Sequence, residues 1–386
     1  MKSLSILKKT LPALCILFVG FSSAKAQHSI EEKFEKVMAD FEVVGSEVAI
    51  VKGDEIVYAH SFGWKDRENQ IPLSNTDIYR IASISKSFNA TVLMQLIEAG
   101  KVSLDDDVSD LIGFQVRNPK FPDQVITLRM LFSHTSSIND SQRYNSLDII
   151  NPDKNDTWQK SYSNYAPGTD YRYCNLNFNM LGAIIERITG ERFDLYIKKH
   201  VLDPLGLYGG FCVDSLDADR FAMIYNNNAE TGDITLSKAA YRPLGKKLQS
   251  YNIGYDAPML SPTGNMKINA TDLAKYMIMH KNKGIYNGVR IISEESASQM
   301  QSPDVVADDD KNFYGFAIRI SDSLIPGVRM TGHTGSAYGL YSIMMFNAEK
   351  DFGIVILSSG SKKAMIDGFR GFLKPATNVL YDHFIK

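Results

Sequence analysis

The chain has 386 residues, 44% hydrophobic and 22% charged, with a formal net charge of −2. Such a composition is that of an ordinary globular protein, and near-neutral charge without a basic run leaves nucleic-acid binding without support. The length is long for a single hydrophobic core, so one large domain with two lobes, or two domains, is expected.

In chain order, Lys2, Lys8 and Lys9 precede an apolar run from Leu11 to Phe21, and Ala24-Lys25-Ala26 forms a small-x-small cleavage site before Gln27. Residues 1–26 therefore read as a secretory signal peptide. The run is too short to span a bilayer, and Leu14 before Cys15 argues against a lipoprotein site, so an exported protein, periplasmic or secreted, with no membrane span in the mature chain is expected. Export would leave Cys174 and Cys212 in the mature protein. One disulfide is possible in an oxidising compartment, but two separate buried thiols are the preferred expectation.

Ser29 to Phe41 carries Ile30, Phe34, Val37, Met38 and Phe41 on one helical face. Glu47 to Lys52 and Glu55 to Ser61 alternate as strands around Gly53-Asp54, a hairpin signature. Next comes Arg80-Ile81-Ala82-Ser83-Ile84-Ser85-Lys86-Ser87-Phe88, leading into a helical run through Ala99 that stops at Gly100. Its Ser-x-x-Lys puts Ser83 and Lys86 one helical turn apart on one face, a hydroxyl beside a proton acceptor. A lysine serves as base only where burial or nearby positive charge lowers its pKa, and Phe88, Val92, Leu93, Met94, Leu96 and Ile97 supply apolar surroundings. Taken alone the pattern is weak, its bland reading being a helix-capping serine and an exposed lysine.

Two later motifs bear on the same chemistry. Tyr171-Arg172-Tyr173-Cys174-Asn175 holds a Tyr-x-Asn just before an apolar helix, Met180 to Thr189, ended by Gly190. Gly332-His333-Thr334-Gly335-Ser336 lies between predicted strands. Tyr314 to Ile320, Val328 to Thr331, Tyr341 to Phe346 and Gly353 to Ser358 read as strands, with a turn over Asn347 to Asp351, and Phe369 to Ile385 reads as a closing helix. The fold class expected is α+β: an antiparallel sheet flanked by helices, built from residues 27–75 and 310–386, with a mostly helical lobe over 76–309 inserted between. The acidic runs at Asp105 to Asp107 and Asp308 to Asp310 lack ligand spacing with a histidine and read as solvated loops. There is no His-Glu-x-x-His, Gly-x-Gly-x-x-Gly, P-loop or Gly-x-Ser-x-Gly.

The order Ser-x-x-Lys, Tyr-x-Asn, then His-Thr-Gly resembles the serine β-lactamase and penicillin-binding-protein superfamily, in its class C β-lactamase-like branch of esterases, peptidases and acyltransferases. The resemblance covers nearly the whole mature chain. Leu131-Phe132-Ser133-His134-Thr135-Ser136-Ser137 fits a segment of that branch, with Ser137 where glycine is usual, and Asp203-Pro204-Leu205-Gly206-Leu207 and Asn269-Ala270-Thr271-Asp272-Leu273-Ala274 fit as well.

The resemblance implies a serine hydrolase that works through an acyl-enzyme on Ser83. Lys86 and Tyr173 would share the base role, the tyrosine held phenolate-like, and the backbone N–H groups of Ser83 and Ser336 would form the oxyanion hole. Asn175, His333, Thr334 and Gly335 would contact substrate, a small molecule or peptide, and no cofactor or metal is implied. His134 would stand beside the site as a structural residue, and Cys174 would point away from it. Two alternatives stay open: transfer of a small acyl group to a hydroxyl of a bulky apolar or sugar acceptor, and a non-turnover acyl-binding sensor.

A histidine at 333, mostly neutral at pH 7, in place of the lysine many β-lactamases carry suggests a site without a permanent cation, hence poor β-lactam turnover. The segments between His134 and Tyr173 and from Phe221 to Pro262 are rich in tyrosine. Most of these rings are expected to pack the helical lobe, a few to wall the cleft.

Overall fold

The structure, a computed structural model, describes residues 17–386 apart from 229, 304, 310 and 311. Much of the expected leader, residues 1–16, thus lies outside the described residues. Helix α1 spans Leu17–Asp40 and buries Ile30, Phe34 and Met38, the face anticipated from their spacing. Strands β1 (Gly45–Lys52) and β2 (Glu55–Asp66) form the hairpin around Gly53, whose φ of 57° is the left-handed geometry such a turn needs. The short β3 (Ile71–Pro72) follows at the edge.

The middle of the chain contributes α2 (Ser85–Glu98), α3 (Asn175–Thr189) and α4 (Ala270–Lys281), joined by long excursions with short helical segments and strand pairings of two or three residues. The C-terminal part then lays down β4 (Val305–Asp309), β5 (Asn312–Tyr314), β6 (Arg319–Ile325), β7 (Val328–Ala337), β8 (Leu340–Asn347) and β9 (Phe352–Ser359), closing with α5 (Leu373–Phe384). One nine-stranded sheet results, in the order β4-β5-β6-β7-β8-β9-β1-β2-β3. Strands from the two ends of the chain meet where β1 pairs antiparallel with β9, Val48 opposite Ile356 and Ala49 opposite Val355.

Because side chains alternate across a strand, this sheet separates two cores. Val48, Ile50, Ile343, Met345, Ile354 and Ile356 face α1 and α5. Ala49, Val51, Met344, Phe346, Val355 and Leu357 face the helical layer built by α2, α3 and α4. Both faces being covered explains why β8 and β9 are buried along their whole length.

Three expectations from periodicity are corrected. Tyr314 to Ile320 is not one strand: the ladder breaks at Gly315, whose N–H donates to the Ile318 carbonyl, and Ala317 takes a φ of 57°. Phe316, Ala317 and Ile318 are buried in a turn, and an apolar run in a buried turn has the same composition as a buried strand. The closing helix starts at Leu373, because Phe369–Arg370 pairs with Met365–Ile366 and Gly371 follows at a φ of 52°. Asp308 and Asp309, expected in a loop, end strand β4 instead; Asp310 lies outside the described residues. Cys174 and Cys212 are separate buried thiols. No described helix is long and apolar enough to cross a membrane.

Candidate active site

A cavity of about 390 Å³ opens between the end of β7 and the N-terminus of α2. Ser83 stands in a tight 3₁₀ turn, Ala82–Ile84, that leads into α2. Ala82 is held at a φ of 50°, left-handed geometry that an alanine adopts only when its surroundings fix it. The surroundings do so: Ser85 Oγ donates to the Ala82 carbonyl at 2.6 Å and accepts from Met266 N–H at 3.0 Å, while Ile81 N–H donates to the Met266 carbonyl. Strand β7 comes close on the other side. A Cβ on Gly335 would lie 2.3 Å from both the Ile81 carbonyl oxygen and Ser342 Oγ, so only glycine lets strand and turn approach.

Lys86 is fully buried one turn beyond Ser83. Its Nζ lies 3.1 Å from Ser83 Oγ, 2.9 Å from Asn175 Oδ1 and 2.9 Å from the Thr263 carbonyl oxygen. Burial lowers its pKa to about 7, with Asp140 and Cys174 opposing that shift. The geometry fixes the direction of the proton. Asn175 Nδ2 donates to Asp140 Oδ2 at 2.9 Å, so its Oδ1 must face Lys86; two of the amine's positions are then committed to pure acceptors. When Lys86 is neutral its lone pair is left for the Ser83 hydroxyl.

Tyr173 is hydrogen-bonded to Ser83, and its ring centroid lies 4.8 Å from Lys86 Nζ. Burial pushes the phenol up, so the resting group is a neutral phenol and the phenolate-like state implied by the resemblance is not the resting one. His333 is buried on β7, its Nδ1 2.6 Å from the Thr334 carbonyl oxygen and its Nε2 2.9 Å from Tyr314 Oη. The carbonyl can only accept, which puts the ring proton on Nδ1 and leaves Nε2 to accept from Tyr314. Burial, with the Lys86 charge second, drops its pKa to about 3, so it is neutral at every ordinary pH.

Of the residues singled out from the sequence, Ser83, Tyr173, Asn175, His333, Thr334, Gly335 and Ser336 all line this cavity, with Lys86 beneath its floor. His134 is buried behind Tyr173, ring centroids 4.3 Å apart, with Nδ1 accepting from Cys174 N–H. Cys174 turns away, Sγ 3.3 Å from Asp140 Oδ1. Trp158, Tyr162, Tyr165, Tyr225, Tyr241, Tyr251 and Tyr255 stay out of this cavity, whereas Tyr144 and Tyr171 line it.

One inference drawn from His333 fails. The histidine is indeed uncharged, but Arg319 and Arg370 line the same cavity, so it does not lack a permanent cation. Sequence reasoning also missed Asp140 and Thr263. Asp140 accepts from the N–H groups of Asn175 and Leu176 at 2.9 and 3.0 Å, capping α3 from another segment, and Thr263 Oγ1 donates to Asn175 Oδ1 at 2.9 Å. No group of three or more potential metal ligands is found among the described residues.

A strained serine turn, a buried lysine and a tyrosine converging under a glycine-gated strand define an acyl-transfer type of site on a β-lactamase-like fold. The chain matches the family model described as Beta-lactamase over residues 30–373, and it belongs to that family, within the serine β-lactamase and penicillin-binding-protein superfamily. It is 26% identical to Penicillin-binding protein 4 of Amycolatopsis lactamdurans over 328 residues, 81% of this chain and 80% of that protein. It is 23% identical to Protein flp of Staphylococcus aureus (strain MRSA252) over 86% of this chain and spans 63% of that protein's length. Among solved structures, EstCE1, described as a hydrolase with promiscuous acyltransferase activity, is similar in fold, with a TM-score of 0.70 and 20% identity over 92% of this chain and 99% of the other.

Proposed function

We propose that the protein is an exported serine hydrolase that cleaves an ester or amide through an acyl-enzyme on Ser83. The observation that carries this reading is the lysine: buried, near neutrality, and hydrogen-bonded so that its free lone pair faces Ser83 Oγ. In the first half-reaction Lys86 takes the Ser83 proton as Oγ bonds to the carbonyl carbon, and the oxyanion is held by the backbone N–H groups of Ser83 and Ser336. Tyr173 gives its proton to the departing oxygen or nitrogen and is refilled from Lys86. Water then attacks the acyl-enzyme by the same relay run backwards.

Transfer to an alcohol is the second reading. Tyr144, Tyr171 and Tyr314 wall the cavity with flat apolar faces and phenolic tips, which suits a bulky hydroxyl acceptor, and the similarly folded EstCE1 is a hydrolase with promiscuous acyltransferase activity. Export rests on the leader pattern of residues 1–26 and is tested by fractionation and by the mature N-terminus, expected at Gln27.

Intact-mass analysis with a panel of esters, D-amino-acid peptides and β-lactams decides among the readings. A transient adduct on Ser83 with free acid as product supports hydrolysis, acylated alcohol as main product supports transfer, and a stable adduct with no product supports a sensor. Ser83→Ala is expected to abolish adduct and to lower turnover by at least about 10³-fold; unchanged turnover would remove the acyl-enzyme reading.

A further inference from the structure

A second cavity, of about 830 Å³, continues from the first past Ser336, Ala337, Arg80, Tyr144 and Ser261, which line both. Its outer wall comes from the excursion between α3 and α4, through Arg242, Pro243, Leu244, Lys247, Pro258 and Met259. Arg242 and Lys247 are exposed, neither has a carboxylate partner among the described residues, and no aspartate or glutamate lines this space there. Arg80 stands at the junction, its Nε donating to the Gly264 carbonyl at 2.7 Å and its guanidinium 4.6 Å from the Tyr338 ring centroid. The annex is therefore a space of mixed polar and apolar lining whose charged residues are all positive.

Proton delivery assigns its side. The leaving group must sit where the general acid can reach it, and Tyr173, with His333, lines the first cavity and not the second. A substrate lying along β7 through Ser83 then has its leaving group toward His333 and its acyl group toward Tyr338. We propose that the annex, on the acyl side of Ser83, selects an acyl group whose far end is anionic, held by Arg242 and Lys247. The proposal rests on the acyl-enzyme reading of Ser83.

The test uses phenyl esters of N-succinyl and N-acetyl oligoglycines of one to four residues, each residue adding about 3.5 Å of reach. In each, Ser83 Oγ bonds to the acyl carbon as the C–O bond breaks and phenol leaves with the proton. At low salt the succinyl series should acylate faster at one chain length, by about tenfold in kcat/KM over acetyl, and the ratio should fall as salt rises. Arg242→Gln with Lys247→Gln should bring the ratio to about one, and Arg242→Glu with Lys247→Glu should reverse it in favour of an acyl group ending in an amine. An anion on the phenol instead reads Arg319 and Arg370, and its effect should survive both double variants. A succinyl-to-acetyl ratio near one at every length, or one that the variants leave unchanged, overturns the annex while the acetyl esters still form the Ser83 adduct. No Ser83 adduct with any ester overturns the acyl-enzyme reading, and the annex falls with it.

Discussion

Lys86 carries the pH dependence of the proposed chemistry. Only the neutral amine accepts the Ser83 proton, so kcat/KM for a small ester should rise about tenfold per pH unit below about 7 and level off above it, with no inflection from His333, which is already neutral. The same burial gives a stability signature. The folded pKa of about 7 lies below the usual lysine value of 10.5, so between them the unfolded chain binds more protons than the folded one, and stability rises with pH across that window. Denaturant unfolding of wild type against Lys86→Met should show wild type gaining on the variant as pH is raised from about 7 to 9. A constant difference would mean that Lys86 is not depressed. At this scale the sequence was legible where chemistry is contiguous: Ser83 and Lys86 one turn apart, Tyr173 and Asn175 on one segment. Asp140, Thr263 and Arg319 were not, since each reaches the site from a distant segment through a single side chain that no local pattern marks.

Two element ends hold the site, and each offers a test. The N-terminus of α3 is capped by Asp140, not by its own preceding residue, and the same carboxylate orients Asn175 and raises the Lys86 pKa. Asp140→Asn should cost about 1–2 kcal/mol of stability, as lost caps do, and move the midpoint of the activity profile to lower pH; an unmoved midpoint with equal stability loss would reduce Asp140 to a cap. On the other side, Gly335→Ala would drive a methyl group into the Ile81 carbonyl and Ser342. Strand β7 must then draw back from the Ser83 turn, so fluorophosphonate labelling of Ser83 should slow by at least about 10²-fold, against a stability loss of about 1–3 kcal/mol from overpacking. Strands β8 and β9 were readable as apolar runs between clear turns, and β1 and β2 as alternating segments around Gly53. The break at Gly315 was not, for the reason that a buried turn and a buried strand share a composition.

At the scale of the whole molecule, the excursion that walls the annex is fastened to the helical layer in its middle by a buried carboxylate. Glu186, on α3, accepts from Tyr251 Oη at 2.5 Å, from Gly254 N–H at 2.8 Å and from Phe193 N–H at 3.1 Å, and burial raises its pKa. None of this is visible in sequence, where Glu186 is one polar residue in an apolar helix and the tyrosines of the excursion carry no periodicity. The catalytic turn, by contrast, is fixed by α2, β7 and the Met266 segment, which do not depend on Glu186. Glu186→Ala leaves two buried N–H donors and the half-buried Tyr251 hydroxyl without an acceptor, a loss of about 3 kcal/mol. Its functional effect should be selective: acylation of Ser83 by a small neutral ester within about threefold of wild type, but loss of any preference among longer acyl groups, together with faster proteolysis between residues 238 and 256. Equal losses for short and long acyl groups would mean that the excursion supports the nucleophile itself, and that the two cavities are one mechanical unit rather than a fixed site with an adjustable annex.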